Sequence, residues 1–285
     1  MEAPLSAVVL DGLTFQYAGA PGNALDDVSF AVPAGEICWL YGRPGAGTST
    51  LLLAAAGLAP RLTGGTVRGA VTVTGQDPQT DDGRKALRGR VAHATSAPDL
   101  QLSGIGATVG EEVAFAPANL SWPIERIRPA VEAALARLGI AHLAARQPAA
   151  LSGGEKQRVV LASLAVLEPP VWLLDDAGSA LDAEGRRILA ALIRAEAARG
   201  AAVLVASEDA DAMAELAHRV ILLDRGRVAW DGSPHALLSQ ELAWEHGPGS
   251  TAIAEIARAA WLRAAGQKFA PAWPLDPDEA AARWS

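Results

Sequence analysis

Apolar and polar residues alternate in the first part of the chain, and the spacing later shifts to three and four. Val8–Leu10 and Leu13–Tyr17 read as short strands of a meander, and Val28–Val32 as a third. The turn Pro33–Gly35 then leads into Ile37–Tyr41, an unbroken apolar run expected to be a buried strand. Ser49–Leu58 reads as an apolar helix that ends before Gly64–Gly65. Val67–Val73 alternates again, Gln76–Arg84 is polar loop, and Val91–Ala94 is a further strand before the loop Thr95–Leu102. Thr108–Phe115 and Ile124–Leu138 are expected to be helical. In the second of these, Ile124, Ile127, Val131, Leu135 and Leu138 share one face. Apolar strands follow at Val171–Asp176, Ala202–Ala206 and in a hairpin, Val220–Leu223 with Val228–Trp230, around Gly226. Helices are expected from Ser179 to about Arg199, over Ala212–Ala217, after Pro234 and over Ala252–Ala264. Strands and helices in alternation predict an α/β fold.

The helix at Ser49 grows out of a glycine-rich turn. Leu40–Leu53 reads L-Y-G-R-P-G-A-G-T-S-T-L-L-L, so the loop runs Gly42, Arg43, Pro44, Gly45, Ala46, Gly47, Thr48, Ser49, Thr50. Strand, glycine-rich turn and helix in that order are the setting of a phosphate-binding P-loop. The glycines let backbone N–H groups close around phosphates, and the helix aims its positive end at them. Against the pattern G-x-x-x-x-G-K-[ST], the glycines and Ser49 fall in register, but Thr48 stands at the lysine position.

Composition narrows the classes. With 285 residues, half of them hydrophobic, the chain has material for one large α/β domain with a subdomain, or for two small domains. A net charge of −8 argues against nucleic acid as the main partner. The single Cys38 excludes an intrachain disulfide and reads as a buried core thiol. No stretch approaches the apolar length of a membrane span, and the N-terminus lacks a basic-plus-apolar signal. A cytosolic protein is expected, with any membrane role exerted through partners.

Three further stretches carry chemistry. Leu151–Arg158 reads L-S-G-G-E-K-Q-R: Ser152 is placed to cap a helix, and Gly153 and Gly154 keep its start open, which makes an anion site. Val171–Asp176, V-W-L-L-D-D, delivers two adjacent carboxylates at a strand end. In P-loop proteins the first such acid serves Mg²⁺ and the next orients water. Tyr17 is an aromatic at a strand end, equally suited to stacking on an adenine ring and to covering the core edge. The tail carries four of the eight tryptophans, expected to pack locally rather than to cover an interface.

With these stretches in place, the chain resembles the ATP-binding subunit of an ABC transporter over about Val8–Ser239. L-S-G-G-E-K-Q-R between the P-loop and V-W-L-L-D-D is the most specific element. Thr108–Leu120, preceded by Pro98, Gln101 and Leu102, looks like the energy-coupling-factor (ECF) importer branch. The resemblance implies a P-loop NTPase (RecA-like) core with an antiparallel β subdomain and an inserted helical subdomain. It places the ATPase domain at 1–244, the helical subdomain at about 103–150 and a C-terminal extension at 245–285. It also implies ATP and Mg²⁺, held in a sandwich of two ATPase subunits facing head to tail. Tyr17 would stack on adenine, Gly42–Thr50 would cradle phosphates, and Ser49 and Asp175 would serve the metal. Ser152, Gly153 and Gly154, followed by Glu155, would cap ATP held by the partner. Ser179–Asp182 would join the two sites.

Four positions depart from the family pattern. Thr48 replaces the P-loop lysine, Ser96 the loop glutamine, Asp176 the catalytic glutamate and Glu208 the switch histidine. Together they remove a cation from the phosphates, add a negative charge and draw the acid back by roughly 1 Å, and a displacement of that size costs on the order of a hundredfold in rate. Arg43 is the one candidate for a substitute cation inside the loop. The intact signature beside a degenerate site predicts the weaker-site subunit of a heterodimeric ECF importer. It would lie at the cytoplasmic face of the membrane. Its partners would be a competent second ATPase, an integral membrane coupling subunit and a substrate-binding membrane subunit for a vitamin or metal ion. The transmitting surface would be the groove near the Ser96 loop and the helical insertion. The rival readings are a nucleotide-free pseudo-ATPase scaffold and an ABC-type ATPase acting on nucleic acid.

Overall fold

The computed structural model describes residues 6–265 together with Trp273, Pro274 and Glu279. β1 (Ser6–Gln16) pairs antiparallel with β2 (Leu25–Pro33). The two short strands expected from the sequence are therefore one strand. A bulge between Leu10 and Leu13, where Gly12 takes a φ of +58°, breaks its register and disguises its length. β3 (Ile37–Tyr41) and α1 (Thr48–Ala55) follow, the helix ending three residues short of the expected Leu58. β4 (Thr66–Val73) returns to the other edge of β1, giving a three-stranded sheet in the order β2-β1-β4.

The expected loop Gln76–Arg84 contains the start of α2 (Asp81–Ala86). Thr80 caps it, accepting from the Gly83 N–H at 3.0 Å, and Asp81 and Asp82 sit in the first turn. Only Gly83 of this helix is buried, so no apolar stripe announces it. β5 (Val91–Thr95) precedes the helical insertion of α3 (Val109–Asn119), α4 (Ile124–Arg137) and α5 (Gly153–Ala165). Then come β6 (Val171–Asp175), α6 (Ala183–Ala198), β7 (Ala202–Ala206), α7 (Ala210–Leu216), β8 (Arg219–Asp224) and β9 (Arg227–Gly232). The chain continues through α8 (Pro234–Leu238), α9 (Leu242–Glu245) and α10 (Ala252–Ala265).

The second sheet has the order β5-β6-β7-β3-β8-β9, parallel throughout except for β9. Both faces of its central strands are covered, which is why Ile37–Tyr41 reads as unbroken apolar sequence. Ile37, Trp39, Tyr41, Trp172, Leu174, Val203 and Val205 join the core shared with the helical insertion. Their neighbours Cys38, Leu40, Val171, Leu173, Ala202 and Leu204 join the core under α1 and the three-stranded sheet. Cys38 is the expected buried thiol, and burial pushes its pKa up. A buried glutamate, Glu196, ties α4 to α6: it pairs with Arg137 and Arg199 and accepts from Trp172 Nε1 at 3.2 Å. Trp244 and Trp273 pack edge to face at 6.3 Å between centroids, and Trp273 is buried, so these two tail tryptophans pack locally as expected. The Trp261 side chain and Trp284 lie outside the described residues.

Candidate functional site

The P-loop emerges from the C-terminal end of β3, between β7 and β8. Two glycines are fixed by close approach. A Cβ on Gly42 would lie 2.7 Å from the Leu223 carbonyl, and one on Gly47, at φ +109°, would lie 2.6 Å from the Ala24 carbonyl. The buried Ala46 accepts through its carbonyl from the Gly226 N–H at 2.9 Å, which anchors the loop to the β8–β9 turn. Gly47 caps α1 without a side-chain hydrogen bond, so no cap side chain takes up the first-turn N–H groups.

An open cleft of about 440 Å³ lies against this loop, lined by Gly42, Arg43, Pro44, Gly45, Thr48, Ser49, Asp175, Asp176, Ser207 and Glu208. The Ser49 hydroxyl donates to Asp175 Oδ1 at 2.9 Å. Burial raises the Asp175 carboxyl pKa; the Ser49 hydrogen bond partly offsets this and the neighbouring Asp176 charge adds to it. A serine hydroxyl beside a carboxylate is the hard-oxygen donor set that Mg²⁺ takes, together with phosphate oxygens. Asp176 is exposed, with a left-handed φ of +51°, a region that Asp enters more readily than most residues. Its N–H donates to the Ala206 carbonyl at 2.9 Å, which fixes β6 against the end of β7. Trp39 Nε1 donates to the Ser207 carbonyl at 2.8 Å and so holds the loop that carries Glu208.

Asp175, Asp176 and Glu208 put three carboxylates around the cleft. Arg43, the basic lining residue, does not answer them. Its Nε donates to the Gly247 carbonyl at 3.0 Å and its Nη2 to the Trp244 carbonyl at 2.6 Å. The expected substitute cation is thus turned to the C-terminal segment, because paired carbonyls there satisfy the guanidinium fork. The Thr50 side chain is buried and its Oγ1 lies 2.9 Å from the Tyr17 hydroxyl, so what Thr50 can offer the cleft is its backbone N–H. Tyr17 is half-buried, with its ring edge to face against Phe15. Ser96 is exposed and does not line the cleft. Gln101 does not substitute for the missing glutamine, since its amide group is bound to the backbone of Thr95 and His93 at 2.8 Å each.

The signature forms a separate surface. Ser152 and Gly153 are exposed at the start of α5 and are not among the cleft residues. Ser152 makes the expected cap: its Oγ accepts from the Glu155 N–H at 3.3 Å, while Glu155 Oε2 accepts from the Ser152 N–H at 2.8 Å. The Ser152 N–H and hydroxyl, both donating to the Glu155 carboxylate, lower its pKa and make it part of the cap. A Cβ on Gly154 would lie 3.1 Å from the Ala180 carbonyl, so the signature packs directly on the loop Ser179–Asp182.

Sequence reasoning missed Gln157 and Lys156. Gln157 is fully buried and donates to the Thr95 carbonyl at 3.1 Å; Lys156 pairs with Asp99 at 2.7 Å. Both join α5 to the loop after β5. The signal was present in L-S-G-G-E-K-Q-R, where Gln157 falls on the apolar face of the helix. A second groove of about 470 Å³ lies between the end of α1, α2 and β5, with Arg61, Arg88, Leu62 and His93 on its walls. Burial lowers the His93 pKa.

Residues 25–179 match the family model described as ABC transporter. The chain is 38% identical over 238 residues to the nickel import ATP-binding protein NikO of Rhodobacter capsulatus, covering 82% of this chain and 92% of NikO. It is 36% identical over 234 residues to the energy-coupling factor transporter ATP-binding protein EcfA1 of Levilactobacillus brevis, covering 82% of this chain and 81% of EcfA1. Among solved structures, cbiO1 from Clostridium perfringens, part of the ABC transporter complex cbiONQ, superposes with a TM-score of 0.72. The identity is 26%, over 91% of this chain and 96% of that one.

Proposed function

The chain belongs to the ABC transporter family, among ATP-binding subunits of the energy-coupling-factor type, and from that premise we propose that it is the weaker-site ATPase of a heterodimeric importer. In this reading the P-loop N–H groups hold phosphates, Tyr17 carries the adenine ring, and Ser49 with Asp175 holds Mg²⁺. When bound, the metal would neutralise phosphate charge. Turnover at this chain's own cleft is slow or absent. The observation that carries the reading is the contrast between two surfaces. The cleft presents Asp175, Asp176 and Glu208 with its arginine turned away, whereas Ser152 and Gly153 stand exposed at a helix N-terminus with their cap intact. Phosphoryl transfer depends on cations around the phosphates, so this cleft is poorly equipped for it. The signature, by contrast, is equipped to complete the site of a competent partner.

Among the described residues no helix is long and apolar enough to cross a membrane. The import role therefore runs through integral membrane subunits, one for coupling and one for the solute, with this chain docked at their cytoplasmic face. Relatives named for nickel and cobalt import support a transition-metal ion as cargo, and the energy-coupling-factor resemblance keeps a vitamin as the other candidate. The surface near the Ser96 loop and the helical insertion suits the coupling segment, because Lys156 and Gln157 link that loop to the signature helix.

The acid-rich cleft also favours a second reading, a scaffold that binds no nucleotide; the preserved glycine cradle and the Tyr17 ring weigh against it. The test is ATPase activity of the complex co-expressed with the second ATPase and the membrane subunits. Ser152→Arg here and a Glu→Gln change at the partner's catalytic position should each abolish turnover, with Asp176→Asn here nearly silent. Loss of turnover in Asp176→Asn would make this chain's own cleft catalytic and overturn the proposal.

A further inference from the structure

Two side chains at the root of the P-loop are committed to a segment two hundred residues away in sequence. Tyr41 ends β3, and its hydroxyl donates to the Gly249 carbonyl at 3.1 Å. Arg43, the second residue of the loop, donates to the carbonyls of Trp244 and Gly247. The segment is fitted to this contact. A Cβ on Gly247 would lie 3.0 Å from the Tyr41 ring and 2.6 Å from the Ala243 carbonyl. His246 Nδ1 is 3.0 Å from Asp224 Oδ2 at the end of β8, the strand next to β3. A few residues on, the Ala252 N–H donates to Asp211 Oδ1 at 3.1 Å. Asp211 lies in the first turn of α7, immediately after the loop that carries Glu208.

Residues 244–252 thus touch the P-loop at Arg43 and, at Asp211, the helix that follows the Glu208 loop. We infer that this segment is a clasp that sets the shape of the P-loop, with Arg43 as the positioning residue through which it acts. The Arg43 contacts are charge-assisted and forked, which fixes direction as well as distance. Without them the loop keeps its glycines, whose freedom to move is largest of all residues. Coupling of this kind is reciprocal, so a ligand that requires the present loop shape strengthens docking of the segment. That second half rests on the nucleotide-binding reading above; the first half does not.

Amide hydrogen exchange on the full chain tests both. Peptides covering 42–50 and 244–256 are followed in wild type, Arg43→Met, Arg43→Lys and Gly247→Val, with and without Mg-ADP. Arg43→Met and Gly247→Val should each speed exchange in both segments by about five- to twentyfold. Arg43→Lys, which keeps donors, should restore most of the protection. Gly247→Val leaves the Arg43 charge in place, so its effect on 42–50 cannot come from lost charge; should that variant not fold, the Arg43→Met and Arg43→Lys pair decides. Faster exchange in 244–256 with 42–50 at the wild-type rate would overturn the clasp. Faster exchange in both segments with no response of any chain to Mg-ADP would uphold the clasp and sink the nucleotide-binding reading.

Discussion

The Ser49 hydroxyl donates to Asp175 Oδ1 at 2.9 Å, so the first turn of α1 and the end of β6 meet across the cleft through one hydrogen bond. The carboxylate in that bond is held at a cost, since burial and the Asp176 charge both raise its pKa. Above the folded-state pKa the ionised form weighs against the native state, and that weight disappears as pH falls through the folded pKa toward the unfolded one. Asp175→Asn keeps an acceptor for Ser49 and removes the charge. The metal-free variant should melt higher than wild type by about 1–3 °C at neutral to mildly alkaline pH. The gain should shrink as the solution is acidified into the ordinary carboxylate range. The same variant should lose Mg²⁺-dependent nucleotide binding. Melting curves across pH with nucleotide titrations check both, and a gain that grows on acidification contradicts the assignment.

Thr48→Lys should raise affinity for ADP by about tenfold or more, because it returns one cation to a cleft whose arginine is directed elsewhere. Titration with a fluorescent ADP reads this directly. An unchanged affinity would mean that phosphates do not lie against the start of α1.

Tyr17 separates a ring effect from a hydroxyl effect. Tyr17→Phe keeps the stacking face and loses the bond to Thr50, so adenine nucleotide affinity should fall only about two- to threefold. Tyr17→Ala should cost about tenfold. Equal losses in the two variants would show that the hydroxyl, and not the ring, is what matters.

Gly47→Ala should destabilise the chain by about 1–3 kcal/mol, since it combines a φ of +109° with a Cβ placed 2.6 Å from the Ala24 carbonyl. Urea unfolding measures it. A neutral result would mean that the β1–β2 connection yields at Ala24.

The legible parts of the chain were those whose chemistry lies in consecutive residues. Ile37–Tyr41 announced itself as a doubly covered strand, and L-S-G-G-E-K-Q-R carried its own cap in Ser152 and Glu155. Features set by distant contacts did not show. Arg43 reads as a loop cation until Trp244 and Gly247, two hundred residues on, present their carbonyls to it. The bond between Thr50 and Tyr17 is likewise unreadable in the sequence, since the end of β1 brings the two together across 33 residues. β1 reads as two strands because Gly12 shifts its register, and α2 escapes because only Gly83 of its residues is buried. Ser96 is exposed and outside the cleft, and its place as the loop-glutamine position follows from the family resemblance alone.

The strand order has a consequence for how the molecule is made. β3, the strand that launches the P-loop, is synthesised early, yet its sheet neighbours are β7 and β8. β5 likewise waits for β6, on the far side of everything from Ser96 to Pro170. Until β7 and β8 have emerged from the ribosome, the strands already made can assemble the β2-β1-β4 sheet, but Ile37–Tyr41, wholly apolar, has neither of its sheet neighbours to hydrogen-bond. Closing such long intervals is entropically slow, and an unpaired apolar strand is an aggregation hazard in the meantime. Expression yield should therefore respond to translation speed more than the stability of the finished sheet suggests, because β3 stays unpaired until β7 and β8 are made.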